Sequence, residues 1–165
     1  MSSANETQVA GTHYKSSYQH WDMVQKLNLG YFEGQITKYL TRHQKKNGLQ
    51  DVEKAQHFLS KLTELAREHE VRPPHLSKES FWNNFKWCLL GLRDNTYESV
   101  LGAACRELAD YCKSNDVDIR AELAITAVAQ WESVEDLEFA SELVTDIARQ
   151  YTSAAEPSRR YVDQG

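Results

Sequence analysis

A chain of 165 residues is long enough for one domain with a sizeable core, or one domain and a small appendage. With 41% hydrophobic and 26% charged residues, it has the composition of a folded globular protein rather than a disordered one. The net charge of -5 is uneven: residues 1–70 carry nine Lys/Arg against eight Asp/Glu, and residues 71–165 carry ten against sixteen, which argues against general nucleic-acid binding.

Residues 1–12 are polar and read as a flexible lead, with neither the basic start nor the apolar run of a secretory signal. No stretch approaches the ~20 apolar residues that a membrane helix requires. Three cysteines, Cys88, Cys105 and Cys112, form no C-x-x-C pair, and the odd count speaks for reduced thiols in the cytoplasm.

A short helix is expected over 20–29, with Met23, Val24 and Leu27 on one side and Leu29-Gly30 as its stop. The next runs over 31–46, with Phe32, Ile36, Tyr39 and Leu40 at helical spacing, and Asn47-Gly48 ends it. Asp51 is the expected N-cap of a third helix reaching residue 70, striped by Val52, Ala55, Phe58, Leu59, Leu62, Leu65 and Ala66. Pro73-Pro74 is the strongest candidate boundary, because each proline disfavours helix in the residue before it.

Beyond it, 77–92 carries the aromatic residues Phe81, Trp82, Phe85 and Trp87, expected as core or as a subunit interface. Helices are expected over 95–113, 118–131 and 133–151, the last opened by a Ser133/Asp136 capping box. Glu132, Glu135, Asp136, Glu138 and Glu142 read as a solvated face. No strand pattern appears. The expected fold is all-α, with a compact three-helix N-terminal unit at 13–70, a second helical unit at 77–152, and a flexible tail at 153–165.

Two groups of residues could carry chemistry. Lys38, Arg42 and Lys45 stand at i, i+4 and i+7 and would share one helix face, with Lys46 beside them. Arg42 offers a planar fork for a phosphate and Lys38 a point charge, although cations near a helix C-terminus also suit a plain solvated face. On either reading the fold should tolerate loss of Arg42. The second group is His13-Tyr14-Lys15 and His20-Trp21-Asp22. A base could stack on Tyr14 or Trp21, and Asp22 could hold Mg²⁺. Equally, Trp21 and Asp22 could be a hydrophobic staple and a helix cap. The phosphate loop G-x-x-x-x-G-K-[ST] is absent.

Taken in order, His13-Tyr14, Trp21-Asp22, Phe32-Glu33-Gly34, Lys38-Tyr39-Leu40-x-Arg42, Lys45-Lys46, Gly48-Leu49 and Asp51-x-x-Lys54-Ala55 resemble the small phage proteins called SaV-like. The resemblance covers residues 13–66. Members often have Pro ahead of the Trp-Asp pair, where this chain has His20. The family includes phage nucleotide kinases that lack a Walker loop and form large homo-oligomers. The resemblance therefore implies a phage-encoded protein in the host cytoplasm, transferring a phosphoryl group from ATP or another nucleoside triphosphate to a deoxynucleoside monophosphate, with Mg²⁺. Lys38, Arg42 and Asp22 would be catalytic, with Asp22 on the metal. His13, Tyr14, Trp21, Tyr39, Lys45 and Lys46 would complete the nucleotide site. The competing expectation is a non-catalytic phage protein that sequesters a nucleotide or binds a host defence factor.

Overall fold

The computed structural model describes residues 17–69 and 100–155 of the chain, and among them every regular element is a helix. The lead, His13, Tyr14, the Pro73-Pro74 boundary, the expected helix at 77–92 with its aromatic residues, and the end of the tail lie outside the described residues. The helices are α1 (His20–Lys26), α2 (Tyr31–Arg42), α3 (Leu49–His69), α4 (Val100–Ser114), α5 (Ile119–Ala129) and α6 (Val134–Ala155).

Helices from both halves of the chain share one cluster of buried side chains. It takes Ile36 and Leu40 from α2, Val52 and Leu59 from α3, Leu108 and Tyr111 from α4, and Leu137 and Val144 from α6. At its centre lies α5, where Ala121, Ala124, Ile125, Ala127 and Val128 are fully buried. A helix apolar on nearly every side must be enclosed, and the alanines let α2, α4 and α6 approach it closely.

The helix ends differ from expectation in an instructive way. Helix α1 stops at Lys26, and the left-handed residue that closes it is Asn28 (φ 51°), not Gly30. Asn28 N–H donates to the Gln25 carbonyl and Leu29 N–H to the Val24 carbonyl, the paired bonds of a Schellman motif. Gly30 is instead the extended N-cap residue of α2. Helix α4 ends in the same motif, with Asp116 left-handed (φ 52°), Asp116 N–H on Lys113 and Val117 N–H on Cys112. Asn and Asp tolerate this conformation better than other residues with a side chain.

Helix α2 stops at Arg42, four residues before the expected end, and residues 43–48 form turns closed by Gly48 N–H on the His43 carbonyl at 2.9 Å. Asp51 is not the N-cap of α3, which already begins at Leu49. Asp118, where the helix over 118–131 is expected to begin, is the N-cap of α5 and accepts from the Arg120 and Ala121 N–H groups. The Ser133/Asp136 pair also forms: Asp136 Oδ2 accepts from the N–H groups of Glu132 and Ser133. That use buries Asp136, and Glu132 is 7% exposed, so these two residues do not belong to a solvated acidic face.

A buried imidazole ties three elements together. His43 Nε2 lies 3.1 Å from Asp118 Oδ2 and its Nδ1 lies 2.7 Å from the Tyr151 hydroxyl. A carboxylate only accepts, so Nε2–H donates to Asp118, and in the neutral ring Nδ1 then accepts from Tyr151. The end of α2, the start of α5 and the end of α6 thereby meet at one side chain.

Gly48 has φ +53°, and a β-carbon built on it would lie 3.3 Å from the Tyr151 ring. Gly48→Ala should therefore destabilise the protein by about 1–2 kcal/mol, the cost of a left-handed residue with a side chain. Chemical denaturation against wild type checks this; an unchanged midpoint would show that the turn has another way to close.

Candidate phosphate-binding face

The cationic face expected on α2 is divided among three directions, because the helix ends before its third member. Arg42 turns toward α3. Its Nε donates to Asp51 Oδ2 and its Nη2 to Asp51 Oδ1, both at 3.0 Å. The Arg42 side chain is 11% exposed and that of Asp51 is fully buried. Asn47 Nδ2 donates to Asp51 Oδ1 at 3.1 Å, and Lys54 Nζ stands 3.6 Å from the same oxygen. Burial pushes the Asp51 carboxyl upward, but the bonds from Arg42 and Asn47 and the charges of Arg42 and Lys54 outweigh it and hold it below its usual 3.8.

Tyr39 belongs to the same cluster. Its ring stacks on Phe58 with centroids 5.8 Å apart, and Arg42 Cζ lies 4.6 Å from its centroid. The fork of Arg42 and the ring of Tyr39 are thus engaged within the protein, so the expectation of a phosphate gripped by that edge of Arg42 is corrected. So is the expectation that the fold would tolerate loss of Arg42, since its removal strands a buried carboxylate.

Lys45 and Lys46 lie in the turn after α2, off the helical phase that would have aligned them with Lys38. Lys45 Nζ donates to the Asn115 backbone carbonyl, which ties the turn to the end of α4. Lys46 is exposed.

Lys38 is different: it is half-buried, and among the described residues it has no carboxylate partner and no hydrogen bond. It lies beside His20, the first residue of α1. His20 Nε2 is 3.0 Å from Thr37 Oγ1. The Thr37 hydroxyl donates to the Glu33 carbonyl at 2.9 Å, so its oxygen is the acceptor and His20 Nε2 carries the proton. Burial first, and the charge of Lys38 second, push the His20 pKa from 6.5 down to about 4, so the ring is neutral at physiological pH. Trp21, the next residue, is 52% exposed. Asp22 follows in the first turn of α1. Behind His20 a polar chain runs inward: Tyr111 Oη donates to Thr41 Oγ1 at 2.8 Å, and Thr41 donates to the Thr37 carbonyl at 2.7 Å.

Of the expected site residues, Trp21 and Asp22 lie in the first turn of α1, whose His20 meets Thr37 and Lys38 of α2, whereas Arg42 and Tyr39 turn toward α3 and Lys45 and Lys46 lie in the turn that follows. Among the described residues no group of three or more His, Cys, Asp or Glu side chains converges to hold a metal. Magnesium is commonly held by one or two carboxylates together with substrate phosphates, so Asp22 fits it only as a single ligand beside a bound phosphate. No described helix is long and apolar enough to cross a membrane. The partners of His43, namely Asp118 and Tyr151, are 75 and 108 residues away in sequence, and nothing near His43 announces them.

The sequence model of a family described as a protein of unknown function (DUF3310) matches residues 10–60. The matched segment takes in α1, α2 and the first half of α3, and with them both Lys38 and the Arg42–Asp51 pair. No curated protein and no solved structure matches the chain.

Two outcomes follow from this geometry. Arg42→Ala should destabilise the fold by about 3 kcal/mol or more, because it leaves Asp51 buried without its main partner. Arg42→Ala/Asp51→Ala should cost less than the sum of the single changes. A double-mutant cycle by urea denaturation checks both; strict additivity would mean that the pair is not coupled.

Stability should also fall with acid in two stages. Unfolded His20 takes a proton near 6.5 and the folded residue only near 4, so the unfolded state binds more protons in between and stability declines as pH falls through that window. Asp51 is held low as described, and Asp118 is held low first by the bond from His43. Their contribution is present above the usual carboxylate value and is lost on further acidification. Thermal melts from neutral pH to well below the usual carboxylate value should show both stages, and His20→Gln should flatten the first.

Proposed function

We propose that the protein binds a nucleotide by its phosphate on the α1–α2 face, and that it transfers a phosphoryl group from a nucleoside triphosphate to a deoxynucleoside monophosphate. The observation that supports this reading is Lys38: a partly exposed ammonium with no carboxylate partner among the described residues, beside the neutral imidazole of His20, which opens the helix that carries the exposed indole of Trp21. A partly desolvated cation without a counter-charge favours an anion, and the exposed indole of Trp21 offers a stacking surface for a base. Phosphoryl transfer is largely positioning and charge neutralisation and needs no covalent nucleophile from the protein. On this reading Lys38 holds phosphate, Trp21 and Tyr14 meet the base, and His13 contacts the nucleotide. Asp22 would bind Mg²⁺ together with the nucleotide's own phosphate. The resemblance of residues 13–66 to the phage nucleotide kinases supports the same substrate class.

The engagement of Arg42 by Asp51 and of Lys45 by Asn115 favours a second reading, in which the same face sequesters a nucleotide without turnover. Sequestration requires only ground-state binding, whereas transfer requires charge to be neutralised at the moving phosphoryl group. On this reading the protein acts in phage counter-defence.

Two experiments test these readings. Small molecules released from the purified, denatured protein identify the ligand class by mass spectrometry. Incubation with ATP, Mg²⁺ and each deoxynucleoside monophosphate then separates turnover from sequestration. Lys38→Met should weaken nucleotide binding at least about tenfold, the scale of a lost hydrogen bond to a charged group, with little change in Tm. Lys61→Met, which breaks only an exposed pair with Glu64, should leave binding unchanged. Wild-type affinity in Lys38→Met would sink both readings of the face.

A further inference from the structure

The reading of Lys38 as a phosphate contact gives no part to the rest of the helix surface that carries it. At the turn and rise of an α-helix, Tyr31, Gln35 and Lys38 fall within about 60° of one another around α2, and the line they make rises by about 10 Å from Tyr31 to Lys38. Ile36 and Leu40, on the other side of the helix, are fully buried. Phe32 and Tyr39 lie toward α3, with ring centroids 6.4 and 5.8 Å from that of Phe58, and Thr37 meets His20 of α1. The line of Tyr31, Gln35 and Lys38 therefore runs along the outer surface of α2, between its two neighbouring helices.

Each side chain on this line ends in a group that the fold leaves uncommitted. Tyr31 is 67% exposed, and its ring is steadied by edge contacts with Phe32 and Phe58, at centroid distances of 5.4 and 6.0 Å. The Tyr31 hydroxyl, the Gln35 amide and the Lys38 ammonium make no hydrogen bond among the described residues. Arg42, next along the line, is bound to Asp51. Glu33, the one carboxylate on α2, is held on the far side, where it accepts from Trp131 Nε1 at 2.9 Å. The line thus offers an aromatic ring at one end and a cation at the other, with no carboxylate of α2 between them.

We propose that Tyr31 is a base-stacking residue of the nucleotide site, so that the bound nucleotide lies along α2 with its base on the Tyr31 ring and its phosphate on Lys38. This rests on the reading of Lys38 as the phosphate contact. A mononucleotide is an anion joined to an aromatic ring, which is the complement of this surface, and the flexible four-carbon stem of Lys38 lets the ammonium meet the phosphate along the line. A ring already held by two neighbours loses little freedom when a base covers it, so more of the stacking energy is realised as affinity. Every base has a π-face, so Tyr31 would fix the ligand without selecting the base.

The test is calorimetric titration with dAMP and with deoxyribose 5-phosphate, which carries the same sugar and phosphate but no base. Tyr31→Ala should weaken dAMP binding by about five- to a hundredfold, the scale of one lost base–aromatic stack, and leave deoxyribose 5-phosphate unaffected. Tyr31→Phe keeps the ring and should bind dAMP like wild type. Lys38→Met should weaken both ligands. Ile119→Ala, which removes an exposed apolar side chain from α5, should change neither. Unaltered dAMP affinity in Tyr31→Ala, beside a loss in Lys38→Met, overturns this inference and leaves the phosphate face standing. Equal weakening of both ligands in Tyr31→Ala means that the ring supports the site without meeting the base, and overturns it too. Failure of both ligands to bind wild type removes the phosphate face and this inference together. If Tyr31→Ala does not fold, NMR of the wild-type complex decides: nuclear Overhauser contacts between the Tyr31 ring and the base protons of dAMP are expected, and their absence in a saturated complex overturns the inference.

Discussion

The bidentate pair between Arg42 and Asp51 is the constraint around which the N-terminal half is organised. A carboxylate with no solvent access is tolerated only when its oxygens are satisfied, and here Arg42 and Asn47 donate while Lys54 adds charge. To bring Arg42 and Asp51 together, α2 must end at Arg42 and the chain must reverse within six residues. That reversal requires a left-handed residue, which Gly48 supplies. Gly48 in turn allows the ring of Tyr151 to lie against the turn, and Tyr151 reaches His43 from there. One ion pair thus fixes the α2–α3 hairpin and, through the turn it imposes, the seat of the last helix.

This arrangement divides the residues that carry the family resemblance into two kinds. Tyr39, Arg42, Gly48, Asp51 and Lys54 close the hairpin on itself. Trp21 and Asp22 stand on α1 and Lys38 on α2, outside that closure. A motif of this sort is a composite: much of its spacing follows from the need to build the hairpin, and a smaller part is available for a ligand. The segment matched by the family of unknown function contains both parts, so the match by itself does not separate folding from chemistry.

The sequence made the helices legible because their periodicity is strong and their caps are local. Asp118 and Asp136 are recognisable within four residues of the groups they bind. What could not be read were interactions made at a distance or by phase. A helix continued to residue 46 would put Lys45 on the face of Lys38, but α2 ends three residues before Lys45, and the destination of Arg42 depends on a partner in the following helix. The burial of Glu132 and Asp136 was hidden because a run of carboxylates has the same composition whether it faces water or caps a helix. Asn28 closes α1 although glycine is the commoner left-handed residue and Gly30 stands only two positions away. The neutrality of His20 is not legible in the sequence, because it rests first on burial in the fold and second on the charge of Lys38, eighteen residues on.

The enclosure of α5 has a consequence for how the molecule breathes. Amides in a helix covered on nearly all sides exchange with solvent only when the whole structure opens, whereas a short helix at the edge opens by itself. Helix α1 has seven residues and only Met23 fully buried. Its excursions would lift His20 from Thr37 while the rest of the bundle stays closed. The α1–α2 face is thus set at the low-stability end of a rigid frame, where a ligand could capture it by closing one turn of helix without disturbing the core.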